Sequence, residues 1–179
     1  MTESSGALTG VRVVDLTDER AIYGAKLLAD LGADVVRVEP PEGDPLRSRG
    51  PHIDEADEAT SSLYYAYFSS NRRSFVTDLE TEQGREQLQL LLARADVILL
   101  SQTRYGVDLV DTETLSKAKP ELVVVHASSF GTGGAWSDYL APDLIAGALA
   151  GQVATTGDVD TPPLKTFGEL NFMVAGAYV

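Results

Sequence analysis

Asn71-Arg72-Arg73-Ser74 is the densest cationic stretch of the chain, with Arg47 and Arg49 in the loop before it. Two adjacent guanidinium groups beside an amide and a hydroxyl are a donor set for a phosphate, through charge-assisted hydrogen bonds worth about 1.5 to 3 kcal/mol each. The competing reading is a solvated charged turn, because the stretch precedes a strand, at the end of a sheet where ligands bind less often. His52 falls in a loop and His126 at a strand end, so no metal site is expected and a backbone-bonded imidazole is the expected role of His126. With no cysteine, thiolate nucleophiles, disulfides and sulfur-built zinc sites drop out.

The first strand-to-helix turn reads Asp15-Leu16-Thr17-Asp18-Glu19-Arg20. It has no G-x-G-x-x-G, and three carboxylates there repel a pyrophosphate, which disfavours NAD or FAD binding of the usual kind. There is no G-x-x-x-x-G-K-[ST] loop for ATP and no G-x-S-x-G elbow for a serine nucleophile.

The elements that must position these groups follow from periodicity. Residues 11–16 are a β-branched apolar run, 21–31 carry helical spacing ended by Gly32, and 34–38 form a second buried strand. After a loop over 40–58 come an aromatic helix at 61–68, a strand at 74–79 and a helix capped by Thr81. Strands at 97–100 and 122–126 flank a helix at 111–118, and a glycine-rich loop at 128–137 leads to a small-residue helix at 143–150. The alternation predicts an α/β fold with a Rossmann-like, doubly wound, mostly parallel sheet. Residues 172–179 are an apolar helical pattern without a cap, and the expectation is that a C-terminal segment or a partner chain completes the fold.

At 179 residues one domain is expected. A formal charge of −13 opposes association with nucleic acid or an anionic membrane surface. No apolar run reaches the roughly 20 residues of a bilayer span, and 1–5 has no secretory character, so a cytoplasmic location is expected.

Leu8-Thr9-Gly10-Val11-Arg12-Val13-Val14-Asp15-Leu16, then Leu28-Ala29-Asp30-Leu31-Gly32-Ala33-Asp34-Val35-Val36-Arg37-Val38-Glu39-Pro40-Pro41 with Gly43-Asp44-Pro45, resemble the opening of the family III CoA-transferases, the CaiB/BaiF group. Asn71 to Ser74 with Thr77-Asp78-Leu79 resembles the family's N-K-R-S segment. Ala95-Asp96-Val97 resembles its next strand, and Ser129-Phe130-Gly131 with Asp143-Leu144 its later loop and helix.

The resemblance implies a single N-terminal Rossmann-like domain over 1–179, incomplete at its C-terminal end, in a family whose members run to about twice this length and interlock as dimers. Its partners would be an acyl-CoA and either a second chain, like or unlike, or a continuation of the same polypeptide. It implies a coenzyme A thioester as substrate or ligand, no permanently bound cofactor, and Asn71, Arg72 and Arg73 among the binding residues. Ser101 and Arg104 join them because residues 100–106 stand where the family has E-N-F-R-P-G near the adenine end of CoA.

The implied chemistry is attack of an aspartate carboxylate on the thioester, a mixed anhydride, an enzyme thioester, and transfer of CoA to another carboxylic acid. Counting four residues back from Gly176 or eight on from Leu164 places Phe172 at that aspartate. A phenyl ring cannot form an anhydride. Glu169, three residues earlier, is expected to be a surface or capping carboxylate in preference to a substitute nucleophile. The expectation is a CoA-transferase-like protein that works in an assembly, with a catalytically silent CoA-ester-binding or scaffold subunit as the alternative.

Overall fold

The computed structural model describes residues 6–54, 57, 60–101 and 110–179. Five strands form one all-parallel sheet in the order β3-β2-β1-β4-β5: β1 Arg12–Leu16, β2 Asp34–Glu39, β3 Arg73–Val76, β4 Val97–Ser101 and β5 Val123–Ala127. The helices are α1 Ile22–Asp30, α2 Leu63–Phe68, α3 Glu82–Leu92, α4 Thr112–Ala118, α5 Asp143–Leu149 and α6 Leu170–Ala177. The chain moves outward from β1 through β2 to β3, then returns to the other side of β1 with β4. That reversal opens a crevice beyond the carboxyl ends of β1 and β4, where open α/β sheets bind ligands.

Alternation along the strands divides the core. Val14, Leu16, Val38 and Ile98 pack under Leu88 and Leu92 of α3, whereas Val13, Val35 and Leu99 pack under Ala25 and Ala29 of α1. Because both faces are covered, the inner strands read as nearly continuous apolar runs. Gly32, at φ +99°, ends α1 and turns the chain into β2. Thr81 caps α3 by accepting from the Gly84 amide at 3.0 Å, as its position predicts. Among the described residues no helix is long and apolar enough to cross a membrane.

Three boundaries differ from the sequence reading. The third strand spans Arg73–Val76, and Thr77 to Leu79 turn away from it. Pro45–Ser48, inside the expected loop, is a short 3-10 helix capped by Asp44. The last helix begins at Leu170, two residues ahead of the apolar pattern, because its cap comes from another element: Asp143 of α5 accepts from the Phe172 amide at 3.0 Å and from Asn171 Nδ2 at 3.0 Å.

Helix α6 lies against α1 at a contact where two glycines meet. A Cβ on Gly24 would stand 2.5 Å from the Gly176 carbonyl oxygen, and one on Gly176 would stand 2.9 Å from the Gly24 nitrogen. Both sites are backbone-limited. Gly24→Ala and Gly176→Ala are each expected to cost about 1 to 3 kcal/mol by overpacking, whereas Gly133→Ala, which meets nothing within 4 Å, is expected to be neutral. Chemical denaturation of the three variants measures this, and equal midpoints would remove the contact as a constraint.

Candidate functional site

At the carboxyl end of β1 the turn that looked repulsive is neutralised from three directions. The Asp15 carboxylate is fully buried and accepts from Arg37 Nη1 at 2.8 Å, from Arg72 Nη1, and from the Thr17 amide and hydroxyl at 2.9 and 2.6 Å. Asp18 pairs with Arg20, and Glu19 with Arg49. Arg37, the register partner of Asp15 on β2, also donates to Asp44 at 2.5 Å and to the Thr17 carbonyl at 3.1 Å. Burial alone pushes the Asp15 carboxyl up, but Arg37, Arg72 and the Thr17 bonds outweigh it and hold the group well below the usual carboxylate range.

A second cluster follows on the same face of β2. Glu39 accepts from Arg47 at 2.8 and 3.0 Å and from the Tyr65 hydroxyl at 2.7 Å, while the Arg47 guanidinium lies 4.0 Å from the Tyr65 ring centroid. Burial opposes the Glu39 charge, yet bonds from Arg47, Ser74 and Tyr65 bring the carboxyl down to about 2. Tyr65 is pushed up to about 12 by burial and by its bond to Glu39. These clusters lock the loop after β2 against the sheet.

The crevice itself begins where Ser101, at the end of β4, accepts from the Asp18 amide at 3.1 Å and ties the two central strand ends together. Beside it a cleft of about 360 Å³ runs from Arg20 past the end of β5, Val125 to Ser129, to Asn171, Phe172 and Tyr178 of α6. That volume is at the lower end for small-ligand sites. Arg20 Nε donates to Ser129 Oγ at 3.1 Å, and its guanidinium lies 5.8 Å from the centroid of the Phe172 ring. Among the described residues no carboxylate lines this cleft.

The residues singled out from sequence are not brought to one place. Asn71, at φ +61°, donates to Asp30 at 2.8 Å. The Arg72 side chain is 1% exposed and is bound to Asp15, the Phe68 carbonyl and Ser69. Arg73 is exposed and forks onto Asp34. So three adjacent residues serve three different acids. Ser101 is at the crevice, and Arg104 lies outside the described residues. Glu169 accepts from the Tyr64 hydroxyl at 2.6 Å and pairs with Arg49, away from the cleft lining. Along β5, alternation turns Val125 toward the α1 face and Val124 and His126 toward the α3 face. His52 Nδ1 lies 3.0 Å from Ser61 Oγ, remote in sequence from the cleft. Sequence reasoning did not single out Asp143, and its one signal was an acid heading an apolar helix after Pro142.

Comparisons with known proteins agree on one family. The sequence profile described as CoA-transferase family III matches residues 8–179. The chain is 37% identical over 169 residues to the succinyl-CoA:(R)-benzylsuccinate CoA-transferase subunit BbsE of Thauera aromatica, covering 93% of this chain and 41% of that protein. It is 33% identical over 179 residues to the formyl-CoA:oxalate CoA-transferase of Streptomyces coelicolor, covering 97% and 42%. A solved CAIB/BAIF family protein from Brucella suis superposes with a TM-score of 0.85 at 32% identity, covering 97% of this chain and 47% of that one. The chain thus spans less than half the length of these relatives.

Two tests follow from the ion clusters. Arg72→Ala leaves the buried Asp15 charge with one guanidinium and is expected to cost about 3 kcal/mol, whereas Arg73→Ala, whose pair is 67% and 48% exposed, is expected to stay within about 1 kcal/mol. Comparable urea midpoints for the two variants would contradict the assignment. Because Asp15 and Glu39 hold their charge to lower pH in the folded chain than unfolded, their contribution is complete above about pH 5 and is lost as pH falls toward 2. Urea titrations from pH 7 to pH 3 are expected to show that decline, and Glu39→Gln to make it shallower.

Proposed function

From the premise that the chain belongs to CoA-transferase family III, we propose that it recognises a coenzyme A thioester at the crevice beyond β1, β4 and β5. Its assembly would move CoA between an acyl-CoA and a carboxylic acid. The relatives compared above bear the names of transferases that use succinyl-CoA or formyl-CoA. Their greater length supports a reading in which this chain is the N-terminal Rossmann-like domain and works with a partner chain or a continuation of its own.

The observation that carries the reading is the composition of the cleft. Phe172 occupies the position where the family resemblance calls for a nucleophilic aspartate, and the described residues lining the cleft supply no other carboxylate. Glu169 is engaged by Tyr64 and Arg49 and does not substitute for it. The nucleophile for transfer therefore comes from another chain or from another segment of the polypeptide. The same lack of an acid favours a second reading, in which the subunit binds CoA esters without turning them over.

Asn71, Arg72, Arg73, Ser101 and Arg104 remain the sequence-derived candidates for the CoA moiety. Of these, Ser101 has the setting of a ligand contact, at the crevice, while Arg72 is committed to the fold.

Hydroxylamine trapping during incubation with an acyl-CoA, read by mass spectrometry, separates the readings. Trapping on a partner or on a segment beyond this chain is expected for the transferase, and no trapping in the native assembly for the silent subunit. Phe172→Asp is expected to create a trappable carboxylate on this chain, facing Arg20. A trapped adduct on Glu169 of the unaltered protein would contradict both readings.

A further inference from the structure

The loop from β5 to α5 carries three aromatic rings in one edge-to-face group. Phe130 lies 5.6 Å from Trp136 at 82° and 6.5 Å from Tyr139 at 89°, centroid to centroid. Trp136 is 55% exposed and Tyr139 62%. Large aromatic rings are seldom left to water as a packed group, and such groups mark binding surfaces. The loop does not owe this arrangement to burial. It is held by its own turns: the Tyr139 amide donates to the Trp136 carbonyl at 3.0 Å and Ser137 Oγ to the Gly134 carbonyl at 3.0 Å.

Both ends of this loop reach the cleft. Ser128 and Ser129, immediately before Phe130, line it, and Asp143, at the far end, holds the amide of Phe172. The aromatic group is therefore the rim of the cleft whose wall is the Phe172 ring. No acid lines the cleft among the described residues.

We infer that the Phe130–Trp136–Tyr139 rim and Phe172 together form a subsite for an aromatic acyl group of a CoA thioester. The inference rests on the proposed recognition of CoA esters and adds the class of acyl group. Apolar area and ring contacts supply the selectivity. A small acyl group such as acetyl cannot reach from the cleft to the rim, whereas a phenylacyl group presents a ring to both.

Trp136 is the single tryptophan of the chain, so its emission reports on the rim directly. The native assembly is titrated with phenylacetyl-CoA, acetyl-CoA and free CoA, following both tryptophan emission and heat of binding. Phenylacetyl-CoA is expected to bind about tenfold more tightly than acetyl-CoA and to be the one ligand that alters the emission. Trp136→Ala, at an exposed loop position, is expected to erase that preference while leaving the affinity for free CoA unchanged.

Equal affinities for the two esters would overturn the aromatic subsite and leave CoA-ester recognition standing. An equal loss for free CoA in Trp136→Ala would assign the rim to the CoA moiety and overturn it too. Emission already shielded from acrylamide and unresponsive to every ligand would assign the rim to a chain contact. Absence of binding by all three ligands would overturn the proposed function and this inference with it.

Discussion

The Asp15 carboxylate is the constraint on which the rest of the molecule depends. It sits at the carboxyl end of the central strand, fully buried, and takes a guanidinium from β2 and another from the approach to β3. Removing such charges from water costs several kcal/mol per ion, and the interior attraction offsets this only with complete hydrogen bonding. Asp15 and Asp44 balance Arg37 and Arg72, and Thr17 completes the shell. The cluster therefore adds little net stability and much definition. A one-residue slip of β2 against β1 would separate Asp15 from Arg37, its register partner, and leave both charges buried and unpaired.

That commitment reshapes the site. In a chain of net charge −13, arginines are the scarce resource for meeting a phosphate-bearing ligand. Arg37 and Arg72 are consumed by the fold, Arg47 by Glu39 and Arg49 by Glu169 and Glu19. Arg20 stands at the crevice, already bonded to Asp18 and Ser129. The long loop after β2 owes its fixed path to these ion pairs, since it contains only one fully buried apolar side chain, Leu46.

Most of the fold was legible because it rests on local patterning. Val13-Val14 and Val35-Val36 announce buried strands, Gly32 the end of α1 and Thr81 the start of α3, each through a physical preference of the residue itself. What was illegible depends on contacts distant in sequence. The onset of α6 was misplaced because its cap belongs to Asp143, 29 residues before Phe172. The arginine pair at 72 and 73 looked like one anion site because it is contiguous, yet neighbouring side chains entering a strand diverge. A better signal was present: Asp15 and Arg37 are opposite charges each embedded in an apolar strand, which has no stable solution except mutual burial.

Position 172 shows why recognition and reactivity can separate in this architecture. The fold uses the amide of that residue, which Asp143 holds, and uses its side chain only to fill space beside Arg20. The glycine contact with α1 fixes the helix independently of what residue 172 carries. A carboxylate or a phenyl ring can therefore project from the same helical position without disturbing the crevice formed by β1, β4 and β5. Chemistry at this site is a property of one side chain, whereas the shape that admits a ligand is a property of the sheet ends and the loop between β5 and α5. Substitution at that single position can thus remove a nucleophile and enlarge an apolar wall in the same step.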